Sequence, residues 1–276
     1  MQGLWVKLGY SSLFLLSILQ FYFFARSDSY VVPFYLLSGF FIYQSVIDWQ
    51  TKMRHVLALY AKKDTWLEHW LMREHSMLSI GLSLLFSAVL SFCLLVVLSG
   101  LLLVYGHSIL FFFLFFVVFY AVASIQINRF SWHLNSFSTR FSCYATTSLS
   151  IIFWALFLNV LLSLFISFYD VNNFFHSYVS LSNFDSITVQ QSIVRMLDNQ
   201  YSRLLLNMYL LVDNFKLALV YQLSEWLGFF SVEASFKHYS QAYALFFVFN
   251  AMKLFALSLS VVLWLKGFQR LMGMIK

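Results

Sequence analysis

A series of apolar runs, each near twenty residues long and recurring along the whole chain, restricts the possible folds more than any other feature. They extend approximately over Leu4 to Ala25, Val31 to Ile47, Met77 to Leu98, Ile109 to Ile127, Leu149 to Phe168 and Ala242 to Leu265. A helix rises about 1.5 Å per residue and the hydrocarbon core of a bilayer is about 30 Å thick, so each run approaches the length of one crossing. With 61% hydrophobic and 10% charged residues and a mean hydropathy of +0.79, the chain falls outside the class of ordinary soluble domains. Backbone groups in lipid must be satisfied within the segment, and one proline with nine glycines leaves little room for extended linkers. The expectation is an all-α, polytopic integral membrane protein.

Phenylalanine supplies 34 of the 276 residues and is spread over every apolar run, which points to composition rather than a recognition site. Phe codons are T-rich, and an organellar genome fits that bias. Met1 leads within a few residues into an apolar run with Lys7 as the one charge, and no Arg- and Ser-rich amphipathic presequence stands before it. An organelle-encoded chain, a bacterial one and an already processed one all fit. Cys93 and Cys143 lie in or beside apolar stretches without metal or disulfide spacing, and His55, His69 and His75 lack the i, i+4 spacing of a helical metal pair. No metal and no cofactor is expected. The formal charge of +6 is scattered over loops and ends, which fits membrane orientation and not nucleic acid.

One membrane domain in two parts is expected. Residues 1–127 hold the first membrane segments and a surface amphipathic helix over 48–76. There Lys52, Arg54, Lys62, Lys63 and Arg73 mix with Asp48, Asp64, Glu68 and Glu74, while Val56, Leu59, Trp66, Leu67, Trp70 and Leu71 recur at helical spacing. Such a helix lies on lipid or on a partner subunit, and a solvated helical loop is the alternative. Residues 128–276 hold the membrane segment 149–168 and a helical hairpin over 185–268. From Asp185 to Trp226 no proline or glycine interrupts the pattern, so one helix of about forty residues would reach about 60 Å and must tilt strongly or bend if embedded. Gly228, Ser231 and Ser235 mark the turn before the final segment returns.

Charge bias pulls against that hairpin. If residues 169–240 were a soluble loop, six crossings would set Lys7, the Lys52 to Arg73 stretch, Arg129 with Arg140, and Lys266, Arg270 and Lys276 on one side. An embedded long helix makes the number odd. Either one early apolar run then does not fully cross, with the Leu149 to Phe168 run a candidate, or the bias is weak, and the C-terminus is expected on the matrix or cytoplasmic side.

Within the long helix stands Arg203, in Arg203-Leu204-Leu205-Leu206-Asn207-Met208-Tyr209, and Gln241-Ala242-Tyr243 opens the last apolar run. An arginine at mid-membrane costs roughly 2.5–3.5 kcal/mol on insertion scales, so its default reading is functional. At about 100° per residue, Asn207 lies about 40° and Asn214 about 20° from Arg203, with Asp213 about 80° to the other side. Lys253, inside the last run, could snorkel, neutralise an acidic group such as Asp213 or meet a lipid headgroup, and the sequence leaves these open. His238 lies near the expected turn as a further, weaker proton-path candidate.

These two motifs together resemble subunit a, the stator proton-channel subunit of F-type ATP synthases, over Asp185 to Asn250. The resemblance implies that Arg203 faces a rotating c-ring of small acidic hairpins and strips protons from its carboxyls, with two aqueous half-channels on offset sides. It implies other membrane subunits and lipids as neighbours, and the mitochondrial inner membrane as location. Asn207 and Gln241 would stand beside the arginine, Gln241 across the hairpin. Glu233, eight residues before Gln241, would relay protons, and Tyr243 would line the aqueous path. The pattern departs where Leu210, Leu211 and Val212 replace the small residues and the acidic residue or histidine that members usually carry; Asp213, one step later, could take that acidic role. No GxxxxGK[ST] loop is present, so the chain itself is not expected to touch ATP. The alternatives are a structural membrane subunit of a respiratory complex, in which Arg203 pairs statically, and a transporter that uses Arg203 for an anionic substrate.

Overall fold

A computed structural model describes residues 16, 28–60, 65, 77–106, 108–120, 139–179, 200–226 and 236–274. Among them the chain is entirely helical, without a strand. Six helices follow in order: α1 Asp28–Tyr60, α2 Met77–Tyr105, α3 Ser108–Tyr120, α4 Thr139–Val179, α5 Gln200–Trp226 and α6 Phe236–Met274. Four of them contain stretches long and apolar enough to cross a membrane, at Tyr30–Thr51, Ile80–Tyr105, Ser150–Asn172 and Tyr239–Phe268. By length and composition these support an integral membrane protein.

Two expectations shift. The run beginning at Leu149 lies, from position 150 on, within a stretch of crossing length, Ser150–Asn172, and of the Ile109 to Ile127 run the part to Tyr120 is described. Position 47 is not a helix boundary: α1 continues through the apolar run to Tyr60, so the first part of the 48–76 segment extends a spanning helix instead of starting a separate one. Of the rest of that segment only Thr65 is described. The Leu4 to Ala25 run apart from Leu16, the 185–199 half of the long helix, and the turn with Gly228, Glu233 and Ser235 lie outside the described residues.

In lipid, helices associate through close packing and interhelical hydrogen bonds, because lipid tails are as apolar as the side chains themselves. The bundle uses both. On α2, Ser83, Ser87 and Ser91 recur every four residues and are buried. Ser91 Oγ donates to the Tyr35 carbonyl of α1 at 2.9 Å and Ser83 Oγ to Gln50 Oε1 at 2.6 Å. These contacts pair low numbers on α1 with high numbers on α2, so the two helices run antiparallel. Ser260 Oγ of α6 reaches the Leu90 carbonyl of α2 at 3.0 Å. Aromatic rings close the remaining seams. Phe112 with Phe165, Phe119 with Phe157 and Tyr120 with Trp154 join α3 to α4 at centroid distances of 5.8, 5.3 and 5.0 Å. The phenylalanine excess thus serves packing.

α1 and α6 come close at Gly267. Phe41 packs edge-on against Trp264 and Phe268 at 4.9 and 5.1 Å. Arg270 Nη1 donates to the Gln44 carbonyl at 2.9 Å. Gly267 sits against the backbone carbonyl of Phe41, where a Cβ would collide with main chain that cannot rotate away. Gly267→Ala is therefore expected to force α1 and α6 apart and to cost about 1–3 kcal/mol. Thermal unfolding in detergent checks this, with Gly81→Ala, where the added methyl meets nothing within 4 Å, as the neutral comparison.

Candidate functional site: a buried charge network and an outward arginine

The two faces of α5 differ in kind. Leu205, Leu206, Tyr209, Leu210, Asp213, Lys216 and Val220 are buried, whereas Arg203, Leu204, Asn207, Met208, Leu211, Val212, Asn214 and Phe215 are exposed. The inner face packs closely: the Tyr209 ring fills the space beside Gly100 of α2, where no other residue leaves room for it. Asn207 and Asn214 share the outward face with Arg203, and Asp213 turns inward, as the angular spacing along a helix predicts.

Asp213 meets lysines and not the arginine. Its Oδ1 accepts from Lys253 Nζ of α6 at 2.7 Å and from Lys216 Nζ, one turn further along α5, at 2.8 Å. Lys216 also reaches Asp170 Oδ2 of α4 at 2.6 Å and Asn250 Oδ1 of α6 at 3.2 Å. Asn250 Nδ2 donates to Asp170 Oδ2 at 2.8 Å and to Ser167 Oγ at 2.9 Å. The phenol of Tyr105, the last residue of α2, donates to Asp170 Oδ1 at 2.9 Å. Lys253 completes the chain by donating to the Tyr209 hydroxyl at 3.1 Å. Two carboxylates and two ammonium groups alternate, so the cluster is neutral overall.

Burial makes that balance necessary. Asp170 and Asp213 are 9% exposed, Lys216 is 4% exposed and Asn250 is fully buried. Moving one ion into such a medium costs several kcal/mol, which only close, hydrogen-bonded partners offset. Here Asn250 uses both of its polar atoms and Asp170 both of its oxygens. Such a network fixes which residues of α4, α5 and α6 face one another, more than it adds stability.

The remaining sequence candidates are dispersed. The pairs Lys216–Asn250 and Asp213–Lys253 make α5 and α6 antiparallel and set their register. Gln241 lies nine residues before Asn250, hence level with position 225, nine beyond Lys216. That is 22 residues beyond Arg203 along α5, or about 33 Å. The structure therefore does not bring Gln241 beside the arginine, because the two pairs set a register that separates them along α5. Tyr243 is half-buried, and its hydroxyl donates to the Leu164 carbonyl of α4 at 3.1 Å. Glu233 lies outside the described residues.

Sequence reasoning overlooked Asp170 and Lys216. Both carried a signal: Asp170 closes an apolar run, and Lys216 follows Asp213 at the i, i+3 spacing that places two charges side by side. For Lys253 the structure selects neutralisation of Asp213 among the three roles open to it. No protein-family model matches the chain, and neither does any curated protein or solved structure.

Asp170→Leu strands Lys216 with half its counter-charge, and the expected loss is about 3–5 kcal/mol. Adding Lys216→Met leaves Asp213 and Lys253 as a balanced pair, so the double variant should lose clearly less than the two single losses combined. Denaturant unfolding of the four proteins as a double-mutant cycle measures the difference.

Proposed function

We propose that this chain is a polytopic membrane stator subunit that carries protons to and from a rotating ring of small acidic hairpins, in the manner of subunit a of F-type ATP synthases. The observation that carries the reading is the outward placement of Arg203 with Asn207 and Asn214 on an α5 face otherwise made of exposed large apolar side chains. Leu211 and Phe215 on that face are 71% and 65% exposed. A guanidinium set among such side chains is positioned to meet a carboxylate carried by a neighbouring membrane helix. The inner charges of α5 are balanced within the bundle, and Arg203 stands with Asn207 and Asn214 on the outward face.

The mechanism is electrostatic. A carboxyl group in lipid stays protonated and neutral, because burial disfavours its charged form. Opposite charges 4 Å apart gain about 4 kcal/mol at an effective dielectric of 20, so a carboxyl arriving at Arg203 releases its proton. Fixed in place, the guanidinium blocks direct passage between the two aqueous sides. Each proton crossing about 100 mV supplies about 2.3 kcal/mol for rotation. The tilted hairpin, the proton-relay role of Glu233, the c-ring and the mitochondrial inner membrane with a matrix-side C-terminus belong to this reading.

A static pairing inside a respiratory complex is the second reading, and the distance between Gln241 and Arg203 favours it. One set of measurements separates the two. Affinity purification of the tagged chain from mild detergent should recover an acidic hairpin ring and a nucleotide-hydrolysing head. Arg203→Ala and Arg203→Gln should each abolish proton-driven ATP synthesis while the complex still assembles. Copurification with a respiratory complex instead, or normal synthesis in either variant, would overturn the proposal.

A further inference from the structure

A second polar feature runs along α4, beyond the four charges. Asn159, Ser163 and Ser167 recur every four residues, and Asp170 follows three later, so all four lie within about 80° of one another around the helix. None is on the surface: Asn159 is 6% exposed, and Ser163 and Ser167 are fully buried. Ser167 and Asp170 are joined through Asn250. Asn159 Oδ1 and Ser163 Oγ, by contrast, are enclosed without a hydrogen-bond partner among the described residues. α6, the helix against which α4 packs most extensively, contributes a third such atom at Ser258 Oγ.

Buried polar atoms without partners are costly, and native proteins satisfy nearly all of them, commonly by enclosed water that makes two to four hydrogen bonds. Consecutive members of this stripe are about 6 Å apart along the axis, a spacing that one water molecule bridges. We propose that the α4 face from Asn159 to Asp170 is an internal water-binding file that runs from the buried charge network toward the middle of the Ser150–Asn172 stretch. It extends about 16 Å along the helix axis. At one end the Asp170 carboxylate receives Lys216, Asn250 and Tyr105, and Lys216 links it to Asp213. The file belongs to this chain alone, whatever docks against the outward face of α5.

Cysteine accessibility tests it on the purified full-length chain in nanodiscs. Ser163→Cys and Asn159→Cys are introduced after Cys93→Ala and Cys143→Ala, with the fully buried neighbour Leu162→Cys as control. Only a thiolate reacts, and a thiolate forms only where water reaches, so Ag⁺ or a methanethiosulfonate ammonium reagent should modify the two file positions at least about tenfold faster than position 162. Equal protection at all three positions would overturn the proposal. Ser163→Ala supplies an independent readout that does not depend on a reactive cysteine. If the hydroxyl holds water, its removal lowers the melting temperature or leaves it unchanged; if the seam is dry, removing an unsatisfied group raises it, and a rise sinks the file. Neither measurement involves Arg203 or a neighbouring subunit, so failure here leaves the stator reading standing, and the reverse holds.

Discussion

The arrangement of α4, α5 and α6 depends on one carboxylate oxygen shared by two lysines. Asp213 Oδ1 accepts from Lys253 of α6 and Lys216 of α5, and Lys216 then extends to Asp170 of α4. Without Asp213 two cations would face each other in a medium that repels ions; without either lysine a carboxylate would be stranded. α5 carries four charged residues, is not among the helices apolar enough to cross unaided, and yet buries a full face in the bundle. Its place there is held by this network and by the Tyr209 ring fitted beside Gly100.

The consequence for α5 is a division of labour between its sides. Inward charges are consumed by structure, while the outward arginine and two asparagines are presented with apolar side chains around them.

How much of this was readable from the chain follows from what each feature depends on. Helix existence was legible, because runs of Leu, Val and Phe without Pro or Gly from 149 to 168 and from 242 to 265 admit little else in lipid. The phase of Arg203, Asn207, Asn214 and Asp213 was legible too, since it needs only the helical repeat. What was hidden depends on two elements at once. Nothing local tells that Asp170 finds Lys216, 46 residues away, or that Lys253 takes the nearest carboxylate of α5 instead of a headgroup. The same blindness affects register: the motif resemblance sets Gln241 beside Arg203, and the observed pairs put it level with position 225, about 33 Å along.

The seam between α1 and α6 has a temporal side. Arg270 and the Gln44 carbonyl that it binds are 226 residues apart in the chain. At roughly 5–20 residues per second of synthesis, α1 exists for about 11–45 s before its last partner emerges. During that interval the Phe41 backbone that later receives Gly267 has α2 as its described neighbour. The seam therefore closes only with α6, the last of the described helices, long after α1 has been made.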